Sequence, residues 1–206
     1  MISAMQVIRA ENYRRTRWKN GGGETAEIAV FPPGADIDSF GWRISMAGIA
    51  AHGPFSRFAG IDRTLAVLQG NGIRLEIAGR DPLDLGKTSP PLAFPGDIDA
   101  CAYVRDGPVL DLNVMTRRAG FRHSVTRAVV DGRLALATDA TVALMFCHTG
   151  TVDIATGRQS AALGPLDSWI AENLDGNGVE CAVAGSALVY WIEIWQAAPG
   201  SASRSR

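Results

Sequence analysis

The sequence predicts an all-β protein, a sandwich or barrel of many short strands. Two observations predict it. Helical periodicity is nearly absent across the 206 residues. Short runs rich in Val, Ile, Leu, Trp and Thr recur throughout, cut by Gly, Pro, Asn and Asp at the spacing that suits sandwiches and barrels.

In chain order, the first predicted strand is Thr25 to Val30. It follows Trp18-Lys19-Asn20-Gly21-Gly22-Gly23-Glu24-Thr25, whose successive glycines carry a large entropic penalty and imply a backbone role. Further strands are predicted at Gly41 to Ile49, Thr64 to Gln69, Gly72 to Ala78, Val109 to Thr116, Thr141 to Cys147, Gly150 to Ile154 and Ala187 to Trp195. Turns fall at Pro32-Pro33-Gly34, Gln69 to Gly72, Ala78 to Pro82, Asp106-Gly107-Pro108, Asp131-Gly132 and Leu174 to Gly178. A weak internal repeat pairs Leu65 to Ile77 with Val142 to Ile154. Each is a strand, a Gly turn and a strand, and each leads toward a proline turn with an aspartate, Phe94-Pro95-Gly96-Asp97 and Gly164-Pro165-Leu166-Asp167. That order suits a small jelly roll made twice.

Charge and motifs narrow the function classes. The formal net charge is −1 with both signs scattered, which argues against a nucleic-acid or membrane partner. No apolar run reaches the length of a membrane span, and Met1 to Gln6 lacks a signal-peptide pattern. Cys101, Cys147 and Cys181 sit far apart in apolar surroundings and read as buried thiols of a cytoplasmic protein. His52, His123 and His148 are widely separated, so no metal and no cofactor is expected. No phosphate loop opens a helix and no nucleophile elbow occurs.

Strand alternation gathers the candidate site. Arg43, Ser45 and Ala47 share a face, as do Asp111, Asn113, Met115 and Arg117. Such faces are solvated and inert unless they line a barrel mouth. Here arginines are mixed with Asn and Met, a pattern that suits an anion. The loop Gly53 to Arg63 adds Phe55, Ser56, Phe58 and Arg63, with Asp62 a candidate partner for Arg63. Glu27 shares strand parity with Thr25; its expected role is to pair an arginine. Glu24, Glu27 and Asp111 are the candidates for acid–base work if the protein is an enzyme.

Together, Trp18-x-Asn20-Gly-Gly-Gly23-Glu24-Thr25-x-Glu27-Ile28, Phe40-x-Trp42-Arg43-x-Ser45-x-Ala47, Gly53-Pro54-Phe55-Ser56-x-Phe58-x-Gly60-Ile61-Asp62-Arg63 and Asp111-x-Asn113-x-Met115-Thr116-Arg117 resemble the HutD/Ves family, whose members sit among histidine-utilisation genes. The resemblance implies a bicupin, two cupin-type jelly-roll barrels from an internal duplication with few short helices. It places an N-terminal barrel over 1–120 with the ligand pocket and a structural or interface barrel over 121–198, with exchange of strands between the halves allowed; the small, polar composition of 199–206 predicts a disordered tail. It implies a metal-free site for a small carboxylate of histidine breakdown, of the urocanate, formiminoglutamate or formylglutamate class. The site would be lined by Trp18, Asn20, Gly22, Gly23, Thr25, Arg43, Ser45, Phe55, Ser56, Phe58, Arg63, Asp111, Asn113, Met115 and Arg117. A non-enzymatic binder is the leading expectation. A metal-independent enzyme using Glu27 or Asp111 stands second. A dimeric interaction protein stands third, because Leu188 to Trp195 is apolar on both faces.

Overall fold

In the computed structural model, residues 3–18, 23–157, 159–172, 174 and 178–197 are described. Strands run over β1 Ser3–Ile8, β2 Arg14–Arg17, β3 Gly23–Phe31, β4 Trp42–Ile49, β5 Gly53–Pro54, β6 Ile61–Gln69, β7 Ile73–Ile77 and β8 Leu83–Leu85. They continue with β9 Leu92–Pro95, β10 Ala100–Val104, β11 Val109–Arg117, β12 Phe121–Thr138, β13 Val142–Thr156, β14 Gln159–Leu163, β15 Ser168–Glu172 and β16 Val179–Gln196. Among the described residues the only helical element is a 3₁₀ turn at Ala10–Asn12. The chain is therefore all-β. No helix of the described residues is long and apolar enough to cross a membrane. The tail 199–206 lies outside the described residues.

The chain divides into two compact units. One is Arg14–Phe121; the other joins Met1–Tyr13 to Arg122–Pro199. The N-terminal strand β1 thus belongs to the same unit as β12 to β16.

Within the Arg14–Phe121 unit, one sheet runs β2-β3-β4-β11-β6-β9 and a second runs β5-β10-β7-β8. Alternation along the first sheet sends Leu65, Val67, Phe94 and Val109 to one face, where they pack with Ile73, Leu75, Ile77, Ala100 and Ala102 of the second sheet. This is the inner face. Burying aliphatic groups of this size contributes about 1.5–3 kcal/mol each. A register shift between Glu27 and Ala29 sets Val30, not Ala29, opposite Arg43. That bulge keeps Thr25, Glu27 and Val30 on the inner face together.

In the other unit, β1-β15-β13-β16-β12 form one sheet, and β14 pairs with β13. Its core holds Met145, Cys147, Ile154, Leu163, Cys181 and Val183 with Trp169 and Trp191, whose rings stack with centroids 6.3 Å apart. The segment Val142 to Ile154 is read from sequence as a hairpin but forms one strand. Between Cys147 and Thr149 the register shifts as a bulge, and Gly150 takes φ 80° beside the Ser186 carbonyl. Its presumed counterpart differs again. Gln69 to Gly72 carries the chain from β6 in one sheet to β7 in the other. Val189 to Ile192 and Ile194 of β16 are buried in the single chain, so their apolar character serves the chain's own interior.

Candidate functional site

The register of the first sheet builds a polar floor on its inner face. Thr25, Ala47, Asp111 and Val67 form one row across β3, β4, β11 and β6. Glu27, Ser45, Asn113 and Leu65 form the next. Arg43, Met115, Arg63 and Phe94 form the third, reaching β9. Strand parity alone thus brings together the polar residues singled out on separate segments.

At the centre is a buried chain of three side chains, Arg63, Asn113 and Asp111, exposed by only 7%, 3% and 0%. Arg63 donates from Nε to Asn113 Oδ1 at 2.8 Å, and its Nη2 donates to the same oxygen. Asn113 Nδ2 donates to Asp111 Oδ1 at 2.5 Å. Guanidinium can only donate, so the Asn113 oxygen must face Arg63 and its amine the carboxylate. Asp111 Oδ2 is buried and, among the described residues, accepts no hydrogen bond.

The Arg63 guanidinium lies under the Phe55 ring, 4.2 Å from its centroid, and 5.7 Å from that of Phe94. Phe55 is held there by its amide, which donates to Ala100 O at 2.8 Å. Burial pushes the Asp111 carboxyl up to about 7, against the charge of Arg63, the Asn113 hydrogen bond and the Ala47 backbone. Burial likewise pulls Arg63 down to about 10, against the charge of Asp111. Each group is desolvated, and only part of that loss is recovered across the Asn113 bridge.

The other candidates separate into distinct roles. Glu27 pairs Arg43 at 2.7 Å and Arg14 at 2.9 Å, the pairing role expected of it, and that engages Arg43 through its Nε. Arg117 donates to the backbone carbonyls of Phe40 and Asp38 at 3.1 and 3.0 Å, so it fixes the 38–40 segment. Asp62 pairs Arg118 at 2.9 Å instead of its sequence neighbour Arg63, because adjacent strand residues point to opposite faces. Met115 joins Phe40 and Ile61 in a small apolar cluster, with Phe58 packed against it. Ser56 is exposed.

Trp18 Nε1 donates to Thr25 Oγ1 at 2.8 Å. A groove of about 470 Å³ beside this tryptophan is lined by Arg17, Trp18, Gly23, Glu24, Gly48, Ala50 and Pro108. Arg63, Asn113 and Asp111 are not among its walls. Asn20 and Gly22 of the opening motif lie outside the described residues. Gly23 has a clear cause: a Cβ there would overlap the Gly48 carbonyl oxygen and touch the Trp18 ring at 3.2 Å. Sequence reasoning missed Phe94, treated as part of a proline turn, and Arg14, which the pairing of β2 with β3 sets opposite Glu27.

Among the described residues no three His, Cys, Asp or Glu converge in a metal-binding group. All three cysteines are free. Burial pushes Cys147 to about 11 and Cys181 to about 12, so neither is a ready nucleophile.

The HutD family model matches residues 10–191. The chain belongs to the HutD family. An uncharacterised 21.2 kDa protein in the hutC 3′ region of Pseudomonas putida is 36% identical over 177 residues, which is 85% of this chain and 90% of that one. Protein Ves of Citrobacter koseri is 42% identical over 102 residues, 49% of this chain and 52% of that protein. Among solved structures, HutD from Pseudomonas fluorescens SBW25, in a formate condition, superposes with TM-score 0.82 at 31% identity. It covers 95% of this chain and 100% of its own. A conserved protein of unknown function from Pseudomonas aeruginosa PAO1 gives 0.86 at 32%, over 94% and 100%. A cupin 2 conserved barrel domain protein from Leptotrichia buccalis gives 0.55 at 10% identity, over 88% and 96%; it speaks only to the cupin-like fold of this HutD-family chain.

Proposed function

We propose that this chain is a non-enzymatic binding protein of histidine catabolism, acting in the cytoplasm. It holds a small carboxylate intermediate, of the urocanate, formiminoglutamate or formylglutamate class, on Arg63 without a metal. The same reading takes the two all-β units as a duplicated cupin, in which the Arg14–Phe121 unit carries the pocket.

The observation that carries the reading is the state of the Arg63 guanidinium. It is buried, and no carboxylate of the described residues touches it. Asn113 Oδ1 takes the Nε–H and one Nη2–H. Of the five N–H groups on guanidinium, one on Nη2 and two on Nη1 have no partner among the described residues. The remaining edge is the end-on fork that grips a planar carboxylate with two parallel bonds. The Phe55 ring covers one face of the plane, which favours approach in the plane and sets orientation. Charge-assisted bonds of this kind contribute about 1.5–3 kcal/mol each. The hut-region relative and the HutD structure support the choice of pathway, and the urocanate and formylglutamate classes are small carboxylates.

Isothermal titration with urocanate, formiminoglutamate and formylglutamate tests the proposal. Saturable binding of at least one is expected. Silence from all of them at millimolar concentration refutes it. A second reading, a metal-independent enzyme, draws on the near-neutral Asp111, which suits a general acid or base. Turnover of one of these acids that vanishes in Asp111→Asn would favour it.

A further inference from the structure

We propose that anion binding in this barrel is coupled to the uptake of one proton, and that the proton goes to Oδ2 of Asp111. The inference rests on the carboxylate reading of Arg63 above and adds a second, obligatory ligand to it.

Asp111 is fully buried, and Arg63 is the one cation acting on it. Without ligand the two form a neutral pair, relayed through Asn113. A carboxylate bound end-on to Arg63 brings a second negative charge to the same guanidinium. Two carboxylates then share one cation inside the barrel, where an uncompensated charge is expensive. Like charges that share a site drive one partner to protonate.

The remaining groups on the inner face offer no alternative. Thr25 from β3, Ser45 and Ala47 from β4, and Leu65 and Val67 from β6 carry nothing that titrates near neutrality. The facing strands contribute Ile73, Leu75, Ile77, Ala100 and Ala102. Glu27 on β3 is the other carboxylate of the floor, and it is clamped between Arg14 and Arg43.

The geometry then names the atom. Asp111 Oδ1 receives the Asn113 amine, and that bond orients the Asn113 oxygen toward Arg63. A proton on Oδ1 would disturb this relay. Oδ2 has no hydrogen-bond partner among the described residues, so a proton there leaves the relay intact. The balance is simple. One ligand carboxylate and one solvent proton enter, no covalent bond other than O–H forms, and the buried cluster returns to net zero. A carboxyl poised near neutrality fits this role, since it accepts a proton at little expense in the physiological range.

The test is calorimetry of the full chain with N-formylglutamate and, separately, acetate, neither of which titrates between pH 5.5 and 8. At pH 8 the binding heat is compared in Tris and HEPES, whose ionisation enthalpies differ. The expected result is uptake of close to one proton per bound anion at pH 8 and close to none at pH 5.5. Affinity falls toward tenfold per pH unit above neutrality and is flat below pH 6. Asp111→Asn, if it folds, binds with no uptake and with no pH dependence above pH 6. Binding by the wild type without uptake overturns the inference and leaves the carboxylate reading standing, as does full uptake in Asp111→Asn. No binding of either anion up to tens of millimolar, by heat or by dialysis, overturns both.

Discussion

Asp111→Asn should make the protein more stable at neutral pH than at acid pH, relative to wild type. In the folded state burial holds the Asp111 carboxyl at about 7, against 3.8 for a solvated aspartate. Between those values the folded protein keeps a proton that the unfolded chain releases. Stability therefore falls as pH rises through that window, by about 1.4 kcal/mol per pH unit for one proton. Across the window this amounts to about 4 kcal/mol, a large share of a typical domain's stability. It is fully lost above the folded value and fully retained below the unfolded one. Asparagine is nearly isosteric and does not titrate. The difference in unfolding free energy between variant and wild type should thus shift in favour of the variant by about 4 kcal/mol between pH 4 and pH 8. Urea denaturation of both proteins at closely spaced pH values measures it, and the subtraction removes every other titrating group the two share. A difference that stays flat with pH would refute the reasoning, because Asp111 would then be no more desolvated than in the unfolded chain.

Other outcomes follow from the same floor. Asn113→Leu keeps the volume but strips partners from two donors of Arg63 and from Asp111 Oδ1; at about 1–3 kcal/mol for each of these three buried polar groups, a loss of about 3–9 kcal/mol in unfolding free energy is expected from urea denaturation. Arg117→Gln should leave carboxylate affinity unchanged within twofold by calorimetry, because its guanidinium serves the Asp38 and Phe40 carbonyls. Gly23→Ala should destabilise by about 1–3 kcal/mol through overlap with the Gly48 carbonyl. Gly48→Ala, whose nearest neighbour would be Glu24 O at 3.9 Å, should lower the thermal midpoint far less. Cys147 and Cys181 should resist alkylation at pH 8 until denaturant is added, as followed by mass spectrometry, since burial keeps both thiols protonated.

Much of the floor was legible because a strand has a period of two. Parity placed Arg43 with Ser45 and Asp111 with Asn113, and antiparallel pairing did the rest. What parity does not contain is competition among partners. Arg43, Arg63 and Arg117 all stand on the correct face of a strand. Glu27 captures the first through the pairing of β3 with β4, backbone carbonyls capture the last at a strand end, and only Arg63 keeps an open fork. Those outcomes depend on side-chain reach between segments distant in sequence.

The fold shows the same division. Alternating apolar runs announced strands β3, β4, β6, β7 and β11. They did not distinguish a turn that links two sheets, at Gln69 to Gly72, from a bulge inside one long strand, at Cys147 to Thr149. Both consist of an apolar run broken by glycine. Nor did the pattern reveal that β1 pairs with β15, because a six-residue strand carries no record of its distant partner.

The most direct test of the central claim is a crystal structure of the chain with N-formylglutamate. The ligand carboxylate should lie in the plane of Arg63, bonded through Nη1 and Nη2, with Asn113 still on Nε. A ligand seated instead in the groove beside Trp18, with the Arg63 fork untouched, would contradict it.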